Sequence, residues 1–345
     1  IKSPAHSAYS GNVNFVLPPN GGTNGYFLKT DGSGNTSWAE AGGGLSSDSD
    51  ENTIGGSFAG QSLTSGSGLK NTVIGYAAGK DITTGDENTA LGVDALKELS
   101  TGYRNTCVGR SAGMELTTTW DNTAVGHSAL SQGTTGHSNT AIGSKALYAN
   151  TTGDSNVAVG FEALKDNTTG IKNIGIGFYA LKSGQTTDQC IAIGNQAMTH
   201  NSNADSNIAI GKQAAYYLNG SNATFNVVIG DQAGYSLSTG ANNILIGYQA
   251  GQYSTGLSTG DNNVIIGFSA ETAGAGTDNQ IVIGNTSNNT LKIGGDLLEA
   301  SNNAVTQSGC FYENAQTVSS NYTITNGRNA MAAGPITIAS GVTVT

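Results

Sequence analysis

Charge is scarce in this chain. Only 11% of its 345 residues are Asp, Glu, Lys or Arg, and acids outnumber bases 24 to 14, for a net charge of -10. The bases form no stripe, which excludes the electrostatic footprint of a nucleic-acid binder. The lack of a polybasic cluster also argues against docking on an anionic membrane surface. No apolar run approaches the roughly 20 residues a membrane-spanning helix needs, so membrane insertion is not expected. The three cysteines, Cys107, Cys190 and Cys310, are odd in number and far apart, which fits neither a disulfide framework nor a zinc pair. Four histidines, His6, His127, His137 and His200, match no metal or triad spacing and read as surface residues. No cofactor is expected. A signal peptide is absent and the first residue is Ile1, which reads as a fragment or processed product and leaves targeting unreadable.

Glycine, by contrast, is abundant at 51 residues, and its placement is regular. Fourteen glycines each close a strand-like segment: Gly56, Gly75, Gly92, Gly109, Gly126, Gly143, Gly160, Gly177, Gly194, Gly211, Gly230, Gly247, Gly267 and Gly284. From Gly75 to Gly211 the interval is 17 residues eight times in succession, then 19, 17, 20 and 17. A fixed period of this kind is the signature of stacked repeats. It predicts an all-β fold, a parallel β-solenoid or β-roll of about 14 coils, mostly of 17 residues. At about 4.8 Å per coil, the stack is a rod of roughly 65 Å.

Counting from each glycine as zero, Asn stands at -4 in 12 of the 14 units, among them Asn88, Asn105, Asn122, Asn139 and Asn156; Cys190 and Gln280 are the exceptions. Stacked asparagines hydrogen-bond to one another along a column. Position -1 is Ile, Val or Leu everywhere except Gly55, and -3 is Thr from Thr53 to Thr140, then Val or Ile. Positions -1 and -3 share one strand face, which reads as the interior. The threonine column is then internal, and a lattice-matching ice surface is not expected. Position +3 is mostly Ala, +4 often Leu or Gly, and a Thr-Gly turn such as Thr84-Gly85 or Thr152-Gly153 precedes the next strand. Whether the Ala-Leu segment is strand or helical turn stays open. Cys107 stands where Ala is usual, as a small apolar residue.

Position -2 faces away from -1 and -3, yet it is Ala in six units and Val228, Leu245, Ile265 and Val282 late in the chain. Apolar residues on both faces of a strand mean that both are covered. The simplest cover is another copy, so a homo-oligomer is expected, intertwined or side by side, with a trimer favoured.

Ser155-Asn156-Val157-Ala158-Val159-Gly160 and Ser206-Asn207-Ile208-Ala209-Ile210-Gly211 resemble the head repeats of trimeric autotransporter adhesins, which implies trimeric parallel β-rolls. The longer period, with Asn-Thr-Ala-Val-Gly and Thr-Thr-Gly, is similar to repeats of bacteriophage tail fibres. The segment Leu17 to Trp38 resembles a stretch common in those fibre proteins, and the ending Asn329 to Thr345 resembles the C-terminus of marine cyanophage fibre-like proteins. The resemblance implies a virion surface protein that gives a rigid shaft and attaches to a host surface glycan or protein, with residues 1–50 as attachment or linker segment, possible contacts to other virion proteins there, 51–295 as shaft and 296–345 as cap or distal segment. A bacterial surface adhesin of the same architecture is the alternative, and a glycan-degrading tailspike the second; acids are too sparse for the chain to be expected as an enzyme.

Candidate sites are few. Asp81, Glu98 and Glu115 occupy +6 in three consecutive coils, a column of carboxylates that reads as a solvated charged edge, as a weak cation site or as a glycosidase-like pair. Insertions fall at Ala215 to Phe225, with Tyr216 and Tyr217, and at Gly251 to Gly260, with Tyr253; they read as tolerated bulges or as receptor-contact loops whose rings stack on sugars or fill partner pockets.

Overall fold

A computed structural model describes residues 26–30, 36–40, 45–252, 256–285, 317–318 and 337–338. Near the start of the chain, β1 (Tyr26–Thr30) and β2 (Thr36–Glu40) pair antiparallel within the segment read as an attachment or linker region. β3 (Ser46–Ser47) then pairs antiparallel with β4 (Thr53–Gly55). It closes the first edge of the stack, where unpaired backbone would otherwise recruit other strands. From β4 onward, fourteen three-residue strands run to β17 (Ile281–Ile283), each parallel to the next. Register follows the glycine period, with Thr72 opposite Thr89 and Ile74 opposite Leu91. The described residues contain no α-helix.

Seventeen residues hold only a short strand, and the rest of each coil is turn. The turns still bond from coil to coil. Asp94 N–H donates to Tyr76 O at 2.9 Å and Gly79 N–H to Ala95 O at 2.8 Å, continuing the ladder beyond the strands. The Ala-Leu segment is therefore neither strand nor helix. It zigzags through left-handed residues, with Leu96, Leu130, Leu147, Leu164 and Leu181 all at φ between 49° and 51°. Such a conformation costs a non-glycine residue about 1–2 kcal/mol. Burial of the leucine offsets it, worth about 1.5–3 kcal/mol per side chain. At the column glycines φ lies between +130° and +139° from Gly75 to Gly247. A Cβ on Gly109 would sit 2.6 Å from Gly126 O, so side chains are excluded there by both backbone angle and neighbour.

The two strand faces are the reverse of the sequence expectation. Position -2 is fully buried, as in Val73, Ala90, Ala124, Ala158 and Val228, and belongs to the continuous apolar core. Positions -1 and -3 point outward, and Leu91, Ile142, Ile176, Ile210, Ile266 and Ile283 are exposed. Period-2 alternation tells which residues share a face, not which face is inside. Packing decides that: the interior is filled by the -2 residue together with Ala at +3 and the +4 residue, whose sizes are matched to one another. The threonines from Thr53 to Thr140 accordingly lie on the outer face, half-buried, which removes the ground on which a lattice-matching surface was set aside.

Sizes at -2 and +4 compensate. Small residues face a large +4 side chain in Ala90/Leu96, Ala124/Leu130, Ala141/Leu147, Ala158/Leu164 and Gly175/Leu181. Larger ones face glycine in Val73/Gly79, Cys107/Gly113, Val228/Gly234 and Leu245/Gly251. A Cβ on Gly113 would lie 2.5 Å from Cys107 Sγ and 2.8 Å from Leu116 Cδ1, so these positions share one volume.

Polar columns complete the interior. Asn105 N–H and Nδ2 both donate to Asn88 Oδ1 at 3.0 Å, and Nδ2 also donates to Thr119 O at 2.9 Å. One buried amide thus ties three coils, satisfying groups that would be costly unpaired. At the exception, Cys190 N–H still donates to Asn173 Oδ1 at 2.9 Å, and its thiol faces Ala204 O at 3.1 Å. Thr117, Thr134 and Thr151 form a third column, each hydroxyl donating to the next coil's Thr134, Thr151 or Thr168 carbonyl at 2.8–3.0 Å.

The chain divides into two compact units, Ile1–Leu291 and Lys292–Thr345. In the second, β18 (Thr317–Val318) pairs parallel with β19 (Thr337–Ile338).

Candidate functional site

Asp81, Glu98 and Glu115 occupy equivalent places on one edge, where their N–H groups donate to Lys97 O, Met114 O and Ser131 O, each at 3.0 Å. Lys80 Nζ approaches Asp81 Oδ1 at 4.0 Å. Among the described residues no three His, Cys, Asp or Glu side chains are grouped to hold a metal ion, this column included.

Tyr216 and Tyr217 join a ring cluster. Tyr216 stacks on Tyr235 with centroids 5.0 Å apart, Tyr217 stacks on His200 at 5.3 Å, and Tyr216 meets Tyr217 edge to face at 4.8 Å. Burial and a hydrogen bond with Tyr217 hold the Tyr235 hydroxyl above its usual range. Tyr253 lies outside the described residues. His200 and Tyr235 were not singled out from sequence, although the repeat offsets +6 and +5 place them in the columns of Tyr217 and Tyr216.

Spacing also carried a second ring column that was missed. Tyr103, Trp120 and His137 all stand at -6, and their rings stack in sequence along the rod. Beside them Arg104 reaches Asp121 with two bonds, Nε to Oδ1 at 2.6 Å and a second nitrogen to Oδ2 at 2.8 Å. The guanidinium holds the Asp121 carboxyl below its usual range, and the carboxylate raises Arg104. Burial lowers His137. These rings stack face to face from coil to coil, a geometry that stiffens the rod. A glutamine column behaves alike, Gln213 donating to Gln196 at 2.9 Å and Gln249 to Gln232 at 2.9 Å.

Glu162 is nearly buried between Lys182, at 3.0 Å, and Lys165, at 3.4 Å. Burial alone would raise its carboxyl, but the two ammonium groups prevail and hold it low. Cys107 and Cys190 are free thiols in the core. Burial pushes the Cys190 thiol up to about 12 and Cys107 higher.

A different geometry occurs near the first coils. A cleft of about 310 Å³ is lined by Phe58, Gln61, Tyr76, Ala77, Lys80, Asp94 and Lys97. Phe58 and Tyr76 meet at 85° with centroids 5.5 Å apart, so they form a corner rather than a stack. Both rings are about half exposed, at 52% and 53%. No protein-family model and no curated protein sequence matches this chain.

Proposed function

We propose that this protein is a structural virion appendage, a homotrimeric bacteriophage fibre whose solenoid is a rigid shaft and whose surface contacts the host cell. The observation that carries the reading is the outward strand face. Eight of the nineteen exposed large hydrophobic residues lie in columns -1 and -3, and five more, Val93, Phe161, Phe178, Tyr248 and Phe268, stand in the adjoining +1 row beyond the first coils. A monomer in water rarely carries so continuous an apolar stripe. Fourteen strands at about 4.8 Å, with about 10 Å of strand width, offer roughly 600 Å² per copy, near the about 800 Å² each partner of a stable complex buries. The columns carry no charge that would repel a second copy. The number three and the phage setting come from the resemblance of the repeats to adhesin heads and tail fibres.

Light scattering on the purified chain tests it. Three chain masses are expected, and the double variant Ile176→Asp/Ile210→Asp should release monomer. A wild-type monomer overturns the oligomer. Antibody labelling that decorates cell envelopes rather than phage particles overturns the virion reading in favour of a surface adhesin. Host polysaccharide incubated with the protein should gain no reducing ends; a gain overturns the non-enzymatic reading.

A further inference from the structure

We infer that the cleft between Phe58 and Lys97 binds an acidic saccharide, a sugar residue bearing a carboxylate. This names a ligand class within the attachment reading above and rests on it only for the supposition that the host contact is a glycan. Four features converge there. Space comes first: about 310 Å³ exceeds one sugar ring. The second is shape, since two half-exposed rings at 85° leave an aromatic corner against which the C–H face of a pyranose packs.

The third is charge. The chain as a whole is at -10, yet this lining holds two lysines against one aspartate. Lys80 shares its charge with Asp81 at 4.0 Å, outside the lining, whereas Lys97 makes no ion pair among the described residues. The fourth is accessible polar groups. The side chains of Gln61, Asp94 and Lys97 make no hydrogen bond among the described residues, so a ligand meets them in place of water. A hydroxylated ligand supplies partners for Gln61 and Asp94, and its carboxylate supplies one for Lys97 through a charge-assisted bond. Few polar groups converging on an aromatic wall is the usual make-up of a small-ligand site. The stacked ring columns further along the rod lack this combination.

Titration of the full chain with methyl glucuronide and, separately, methyl glucoside, followed by the NMR signals of the ligand, tests the inference. The acidic sugar should bind at least about fivefold more tightly, as expected for one added charge-assisted contact. The difference should vanish in Lys97→Met and shrink as salt rises. Phe58→Ala should weaken both sugars. Phe58 is exposed and Lys97 half-buried, and light scattering on each variant reports the assembly separately, so lost binding with unchanged mass concerns the cleft alone. Equal affinity for the two sugars, or no saturation by either at tens of millimolar, overturns the inference while leaving the fibre reading intact.

Discussion

Asn71 Oδ1 accepts two hydrogen bonds from Asn88, one from its N–H at 2.9 Å and one from its Nδ2 at 3.1 Å. The pair joins neighbouring coils through groups that are wholly buried. Asn88 does the same for Asn105, so each asparagine is both acceptor for the coil after it and donor to the coil before it. The arrangement makes the column cooperative: removing one side chain breaks bonds to the coils on both sides.

Asn105→Ala should therefore cost more than one hydrogen bond. It strands the Asn122 N–H, which reaches Asn105 Oδ1 at 3.1 Å, leaves Asn122 Nδ2 only Gly136 O, and takes one of the donors from Asn88 Oδ1 and from Thr119 O. With about 1–3 kcal/mol for the buried N–H left unpaired and about 1 kcal/mol for each of the other bonds lost, the expected loss is about 3–5 kcal/mol, read as a lower denaturation midpoint. The opposite change is expected at the natural break. Cys190→Asn should maintain or raise stability, because Asn139 and Asn150 already share Gly153 O in the geometry that an asparagine at 190 would share with Asn201 at Ala204 O.

The compensation between -2 and +4 predicts a coupled pair. Gly113→Leu alone should destabilise, since its side chain meets the Cys107 sulfur. Cys107→Ala alone should cost about 1 kcal/mol for the lost volume. The double variant reproduces the Ala124/Leu130 arrangement of the next coil, and should be more stable than the sum of the single changes predicts by about 1–3 kcal/mol. Chemical denaturation of all four proteins measures the coupling, and additivity would refute a shared volume.

Gly109→Ala and Gly66→Ala separate crowding from flexibility. At Gly109 φ is +130° and a Cβ meets Gly126 O at 2.6 Å. At Gly66 φ is +79° with nothing within 4 Å. The first should lose more than about 3 kcal/mol and the second about 1–2 kcal/mol, since only left-handed strain remains there. Melting curves of the two variants suffice.

Buried thiols set an alkaline limit. In the unfolded chain a cysteine ionises near the ordinary value of 9.0, whereas folded Cys190 stays protonated to about 12. The folded value is raised, so its contribution is complete below pH 9 and is lost as pH rises from there toward 12. Each thiol should steepen the decline by about 1.4 kcal/mol per pH unit in that window. Denaturation between pH 8 and 11 should show a shallower slope for Cys107→Ala than for wild type, and a slope unchanged by both Cys107→Ala and Cys190→Ala would contradict the burial of these thiols. In the native state neither cysteine should react with a thiol reagent at pH 8.

The repeat itself is written in the residues. A 17-residue glycine interval, Asn at -4 and alternating apolar positions determine parallel three-residue strands in register, because stacking identical coils leaves each side chain beside its own kind. Ring columns such as Tyr103–Trp120 and Tyr216–Tyr235 were equally legible from their offsets, as was the exchange of size between -2 and +4. What alternation left open, only the tertiary structure decided: which face of each strand is inside. Positions -2 and +4 share the interior space of each coil, so Ala, Cys, Val or Leu at -2 turns inward beside Leu or Gly at +4, and the Ile, Val and Thr of -1 and -3 form the outer stripe. The corner between Phe58 and Tyr76 was likewise beyond the period, because a cleft arises where the first coils depart from the regular ring stack and its walls come from residues up to 39 positions apart.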